Sequence, residues 1–199
     1  MKLFFLLLLS LNLIAQDKYS FRVAYGKATT SNLSEIFSGD VQDPDHDYRV
    51  LAFDGGYLLK ENLLDIPLDF YLNGGIAYYD EDDVHDDILE ATIYIKFIYN
   101  IDIFSNRFRV GLGEGISYTH GYLQVEYDEA VADKDGHSKF LNYLDISFDF
   151  DIGRLVKYKP LYDTHLGWAI KHRSGIFGLI NNVEEGGANY NTLYIEKTF

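Results

Sequence analysis

The chain has 199 residues, no cysteine, and a formal net charge of −14 from 17 Lys+Arg against 31 Asp+Glu. Such a length holds one ordinary domain. The missing cysteines exclude a disulfide framework, a Cys-ligated zinc and thiol catalysis, and the acidic balance excludes nucleic acid, whose phosphates it would repel.

Aromatic residues make up 16% of the chain, too many for disorder, and 17 Gly against 3 Pro suits long uninterrupted strands. The first fifteen residues read as an address. Lys2 precedes the apolar run Leu3–Leu9, which closes at Ile14-Ala15 before polar Gln16-Asp17. A positive start, a short apolar core and a small residue before the cut describe a secretory signal peptide. The run is shorter than the about 20 residues of a spanning helix. The large Leu13 blurs the cleavage site. The remainder, 16–199, is expected to form a single β-barrel domain.

From Tyr19 onward the period is two. Tyr19, Phe21, Val23 and Tyr25 alternate with Ser20, Arg22, Ala24 and Gly26. A second segment, Arg49–Leu59, places Leu51, Phe53, Tyr57 and Leu59 on one face; a third carries Ile66, Leu68, Phe70, Leu72, Ile76 and Tyr78. The fourth reads Leu89, Ala91, Ile93, Ile95, Phe97 and Tyr99 against Glu90, Thr92, Tyr94 and Lys96. The fifth reads Phe108, Val110, Leu112, Ile116 and Tyr118 against Arg109, Gly111, Gly113, Gly115 and Ser117. In the sixth, Leu144, Ile146, Phe148 and Phe150 alternate with Asp145, Ser147, Asp149 and Asp151. Strand geometry sends each pair of sets to opposite faces. Two further strands, Thr164–Phe177 and Asn189–Phe199, complete eight.

Connections alternate between long (Thr29–Asp47, Asp80–Asp87, Gln124–Ser138) and short (Glu61–Asp65, Asp102–Arg107, Lys157–Tyr162). Long outer loops, short inner turns, an even strand count and segments of ten or more residues predict an all-β fold. It is an eight-stranded antiparallel transmembrane barrel of the outer-membrane type, in the bacterial cell outer membrane. The terminal aromatic Phe199, preceded by Ile195 and Leu193 at alternate places, agrees; Lys197 departs from that pattern.

On strand seven, Leu166, Trp168 and Ile170 share a lipid-facing parity, and His172 and Ser174 continue it. A polar pair there is costly unless it sits at an interface or does chemistry. Residues i and i+2 on one face can meet, so imidazole can take the hydroxyl proton while the oxygen attacks an ester. His-x-Ser alone is a short and common pattern, and headgroup hydration explains it equally well.

His172-Arg173-Ser174-Gly175, Asn181-Asn182, Gly186-Gly187-Ala188-Asn189-Tyr190 and the terminal Phe199 together resemble the outer-membrane lipid A 3-O-deacylases. Related proteins are labelled acyloxyacyl hydrolases. The likeness covers the tail of the chain; upstream, only barrel architecture agrees. It implies a carboxylic ester hydrolase that removes an acyl chain from lipid A of lipopolysaccharide, with Ser174 as nucleophile, His172 as base and no cofactor. The family's third member is a glutamate on the final strand, where this chain has Asn189. An asparagine can orient the imidazole but cannot stabilise imidazolium by charge. Glu184 or Glu185 would serve instead if their loop folds back. Asn181, Asn182 and backbone N–H groups near Gly175 are candidate oxyanion donors.

The acidic runs Asp43–Asp47 and Asp80–Asp87 lack the spaced ligand-and-glycine order of a calcium loop and read as solvated. His120, His137 and His165 lack companions at metal-ligand spacing, so no metal site is expected. Asp145, Asp149 and Asp151 read as a polar lumen network. Lipid A is anionic, which leaves apolar contact, Lys171 and Arg173, or bridging cations to hold it. The alternative is a non-catalytic small barrel, structural or surface-interacting through its acidic loops. Either leaves room for a homodimer.

Overall fold

The computed structural model describes residues 18–133, 136–176, 178–181, 183 and 187–199. The expected signal peptide lies outside them. Eight antiparallel strands close on themselves, each paired with its chain neighbours and the first with the last. They are β1 (Tyr19–Thr29), β2 (Arg49–Lys60), β3 (Leu68–Asp80), β4 (Ile88–Ile103), β5 (Asn106–Thr119), β6 (Phe140–Asp151), β7 (Thr164–Ser174) and β8 (Gly187–Thr198). Three short helices lie between strands: α1 (Leu33–Ser38), α2 (Gln124–Asp133) and α3 (Ile152–Leu155).

The alternation decides which side chains go where. On β1, Ser20, Arg22, Ala24 and Ala28 are buried in the lumen while Tyr19, Phe21 and Tyr25 face out. The same parity turns Leu51, Ile76, Ile93, Leu112, Phe148 and Leu193 outward. The outside is an apolar belt, the inside is polar, and closure leaves no strand edge unpaired, as a spanning barrel requires. β4 and β5 meet in a tight hairpin whose turn residues Phe104 and Ser105 have φ of 52° and 62°. Left-handed backbone at such a turn matches the twist of the flanking strands.

Eight strands enclose a space just wide enough for side chains to fill. Arg22 fills its middle. Its guanidinium donates to Asp54 (3.1 Å) and to both oxygens of Asp145 (2.7 and 3.1 Å), and Lys96 Nζ lies 2.7 Å from Asp145. Nearer the short turns, Arg109 bridges Asp149 (2.8 Å) and Glu196 (2.7 Å). The interleaved glycines of β5 make room for this filling. A Cβ on Gly113 would stand 2.9 Å from the Tyr94 ring. Lys197, the residue out of pattern near the terminus, donates its ammonium to the Tyr162 carbonyl in the adjacent turn.

Two stretches differ from the expected open loops. Residues 124–133 form α2, whose Val125, Glu126 and Ala130 are buried against the barrel mouth. Glu81, in a run read as solvated, is fully buried and accepts from the Gln124 backbone N–H at 2.8 Å, next to the start of α2. The cause is tertiary: the mouth is a hole lined with apolar and polar groups, and the loops close over it.

That burial has a pH consequence. Desolvation, with further upward push from Glu90, Glu81 and Glu129, raises the Glu126 carboxyl from its ordinary 4.5 to about 7, against the opposing pull of Arg173 3.3 Å away. A raised carboxyl favours the folded state while protonated. Stability therefore falls as pH rises from about 4.5 to about 7, a contribution of order 3 kcal/mol. Urea midpoints of the refolded barrel at pH 5 and pH 8 should show this drop, and Glu126→Gln should flatten it. An equal slope in the glutamine variant would assign it to another group.

Candidate active site

β7 brings its outward residues up towards the long-loop end in the order Leu166, Trp168, Ile170, His172, Ser174, and it ends at that serine. Antiparallel register sets Asn189 of β8 directly opposite His172, and Gly187 opposite Ser174. Asn189 Oδ1 lies 2.8 Å from His172 Nδ1, and Asn189 Nδ2 donates to the Ser31 carbonyl at 3.1 Å. The second bond fixes the amide. With Nδ2 turned to a carbonyl, Oδ1 faces the ring and can only accept. Nδ1 therefore carries the proton, and Nε2 keeps its lone pair for a proton acceptor's work.

Ser174 stands two residues on, on the same face, about 6.5–7 Å away in strand spacing. Among the described residues the two are not hydrogen-bonded, a looseness common before substrate binds. α2 holds the start of β8, because the Gly187 N–H donates to Glu129 at 3.0 Å. A cavity of about 700 Å³ opens on the loop side of Asn189, walled by Asp43, Asp45, His46 and Asp128.

The outward face is not bare. The segment after β1 leaves the barrel mouth and runs down across β8 and β7. Ser31 meets Asn189, and Phe37 of α1 packs edge-on against Trp168 at 6.4 Å between ring centroids. Ile170, expected to face lipid, is completely buried. An asparagine cap holds α1: Asn32 accepts from the Glu35 N–H, and the Glu35 carboxylate accepts from the Asn32 N–H.

Other expected site residues fall elsewhere. Lys171 and Arg173 have lumen parity and are buried; they lie near Glu90 (3.5 and 3.8 Å), and Arg173 also faces Glu126, so neither reaches a lipid outside. Asn181 donates its amide to Ser138 Oγ (2.9 Å) and to the Phe140 carbonyl (2.7 Å), which commits both hydrogens and leaves none for an oxyanion. Asn182, Glu184 and Glu185 lie outside the described residues. Asp145 and Asp149 form the lumen network expected of them. Asp151, Asp163 and His165 cluster closely enough to suggest a metal, among the described residues. Arg154 already supplies a cation there, 3.0 Å from Asp151, and His165 lies 3.0 Å from Asp149. His165, expected to lack companions at metal-ligand spacing, thus has two, which the fold brings together from β6 and the turn before β7.

Two further polar residues face outward near this pair. Glu114 occupies the gap in the apolar face of β5 between Leu112 and Ile116, and Asn142 precedes Leu144 on the outward face of β6. The rule that singled out His172 and Ser174, a polar residue at an apolar parity, finds both.

Solved structures share this architecture. The outer membrane enzyme PagL superposes over 90% of this chain and 99% of its own, with a TM-score of 0.60 at 12% identity. This is an outer-membrane-type barrel. Neisserial surface protein A gives a TM-score of 0.50 at 13% identity, covering 92% of this chain and 98% of its own. No protein-family model and no curated protein matches the chain.

Removing Asn189 should cost the imidazole its tautomer and its orientation. Were His172 to act as a base, Asn189→Ala would lower the rate about 10–100-fold, the size found when a metal-bound histidine loses the partner that orients it. A rate equal to the parent's would assign the orienting role to another group.

Proposed function

We propose that the protein is an outer-membrane esterase that removes an ester-linked acyl chain from lipid A of lipopolysaccharide, using Ser174, His172 and Asn189. The observation that carries this reading is the His172 Nδ1–Asn189 Oδ1 contact on the membrane-facing side of a barrel, with Ser174 on the same face. A hydrogen-bonded histidine outside a barrel has no structural partner to satisfy in the lumen. It does have a substrate supply, because outer-leaflet lipids diffuse past it. The resemblance of the tail to lipid A deacylases and the fold shared with PagL support the same conclusion.

In this mechanism Ser174 Oγ attacks the acyl carbonyl and passes its proton to His172 Nε2. Asn189 holds the imidazolium by its Nδ1–H, without the charge a carboxylate would add. Collapse of the tetrahedral intermediate expels the sugar oxygen, which takes the proton back from His172. Water then repeats the sequence on the acyl-serine, again with His172 as base, and releases a fatty acid. With Lys171 and Arg173 turned into the lumen, binding rests on apolar contact along the outer face or on cations that bridge the lipid's phosphates to the acidic loops.

Mass spectrometry of lipid A from cells with the protein, without it, and with Ser174→Ala is the test. Loss of one acyl chain only with intact Ser174 is expected. Identical lipid A in all three, with the barrel shown to be folded, would leave a non-catalytic barrel.

A further inference from the structure

The order of side chains around the outside of the barrel is Asn189 on β8, His172 and Ser174 on β7, Asn142 on β6 and Glu114 on β5. Register pairs Asn142 directly with Ser174, so their Cβ atoms lie about 4.5–5.5 Å apart. Glu114 pairs with Leu144, one step along the same face, and its carboxylate is within hydrogen-bonding reach of the Asn142 side chain. Asn142 is 7% exposed although it has outward parity. Glu114 sits among Leu112, Ile116 and Ile95, all exposed to the outside.

A carboxylate on the lipid-facing surface costs stability, and an outward asparagine adds to that cost. Two such residues beside a serine call for a compensating use. A carboxylate accepts only, so Asn142 must present Nδ2 to it, which leaves a second Nδ2–H to point elsewhere. The register puts Ser174 beside Asn142, within reach of that donor. Acyl transfer needs a donor at this place: when Ser174 Oγ bonds to the carbonyl carbon, the π pair moves onto the carbonyl oxygen, which must be met opposite the base. Asn189 orients the base from one side of β7, and Asn142 stands on the other.

We infer that Asn142 is a catalytic residue of the proposed esterase, donating Nδ2–H to the carbonyl oxygen as it becomes an oxyanion, with Glu114 as the residue that positions it. This rests on the reading given above. The step is balanced as written there: one Oγ–C bond forms, the proton goes to His172 Nε2, and collapse returns both the electron pair and the proton to the leaving oxygen. Asn142 donates a hydrogen bond and transfers no proton. It takes the role for which Asn181, with both amide hydrogens committed, is not free.

The experiment measures kcat and KM of the purified full-length barrel in detergent micelles, on p-nitrophenyl dodecanoate and on lipopolysaccharide. Asn142→Leu should lower kcat about 10²–10³-fold, the size of losing one oxyanion donor, with KM nearly unchanged. An outward leucine suits the lipid face, so folding should survive, as checked by the mobility of the unheated barrel on a denaturing gel; Asn142→Ala serves as the second variant. Glu114→Leu should lower kcat about tenfold, again without moving KM, and Glu114→Gln, which keeps an acceptor for Nδ2, should restore most of it. A purely structural glutamate would show neither the kcat-only loss nor the rescue. Parental kcat in folded Asn142→Leu and Asn142→Ala, with Ser174→Ala inactive, would overturn the assignment of Asn142 alone. Hydrolysis undiminished in Ser174→Ala would overturn the esterase reading and this inference with it.

Discussion

Ser174→Ala and His172→Ala should each lower the rate of ester hydrolysis by at least about 10³-fold, and the double variant should be no slower than either single one. In the proposed mechanism both residues serve one proton transfer. Without the hydroxyl there is no nucleophile, and without the imidazole the hydroxyl keeps its proton; either loss removes the whole step. Geometry argues for Nε2 as the acceptor, because Asn189 Oδ1 can only accept and so places the ring proton on Nδ1. Rates on purified lipopolysaccharide, followed by release of free fatty acid, measure this directly. Additive losses would mean that the two residues act independently, and a proton-relay pair would then be the wrong description.

The second large effect concerns stability. Asp145 is completely buried and meets two cations, Arg22 (2.7 Å) and Lys96 (2.7 Å). Asp145→Ala strands both in the lumen with Asp54 as the remaining carboxylate beside Arg22. Breaking a buried ion pair from one side costs about 3–5 kcal/mol, far more than the pair contributes when intact. The urea midpoint of the barrel in lipid or detergent, read from folded and unfolded gel mobility, should fall accordingly. Asp145→Asn keeps one oxygen acceptor at the same place and should lose less. A midpoint unchanged in Asp145→Ala would show that water enters the lumen freely enough to solvate Arg22 and Lys96.

Much of the barrel was legible because period-two patterning is a local property of the chain. Each segment from Tyr19 onward announces its two faces, and the described strands begin and end within a few residues of those patterns. The same parity was enough to place Lys171 and Arg173 in the lumen, since they alternate with Trp168, Ile170 and His172. Glu114 and Asn142 were equally readable as breaks in an apolar face, but their meaning depends on which strands lie side by side in register. Less was available for the loops. Gln124–Asp133 carries little amphipathic pattern, and it is helical because Val125, Glu126 and Ala130 find a mouth to close. Nothing local announces that the segment around α1 would descend to meet Asn189 and Trp168.

That descent gives the barrel a front and a back. On the side of β8 and β7, the chain's own Ser31 and Phe37 stand against Asn189 and Trp168. Among the described residues no such cover lies over Leu112, Ile116 and Phe148, which stay exposed on β5 and β6. On the proposed reading a lipid drifting in the plane of the leaflet meets the serine from one direction only, its chain trailing across β6 and β5 while the far flank is walled off. The first loop then does what a pocket wall does in a soluble esterase, and the outer face acquires a handed approach path from a piece of chain laid along it.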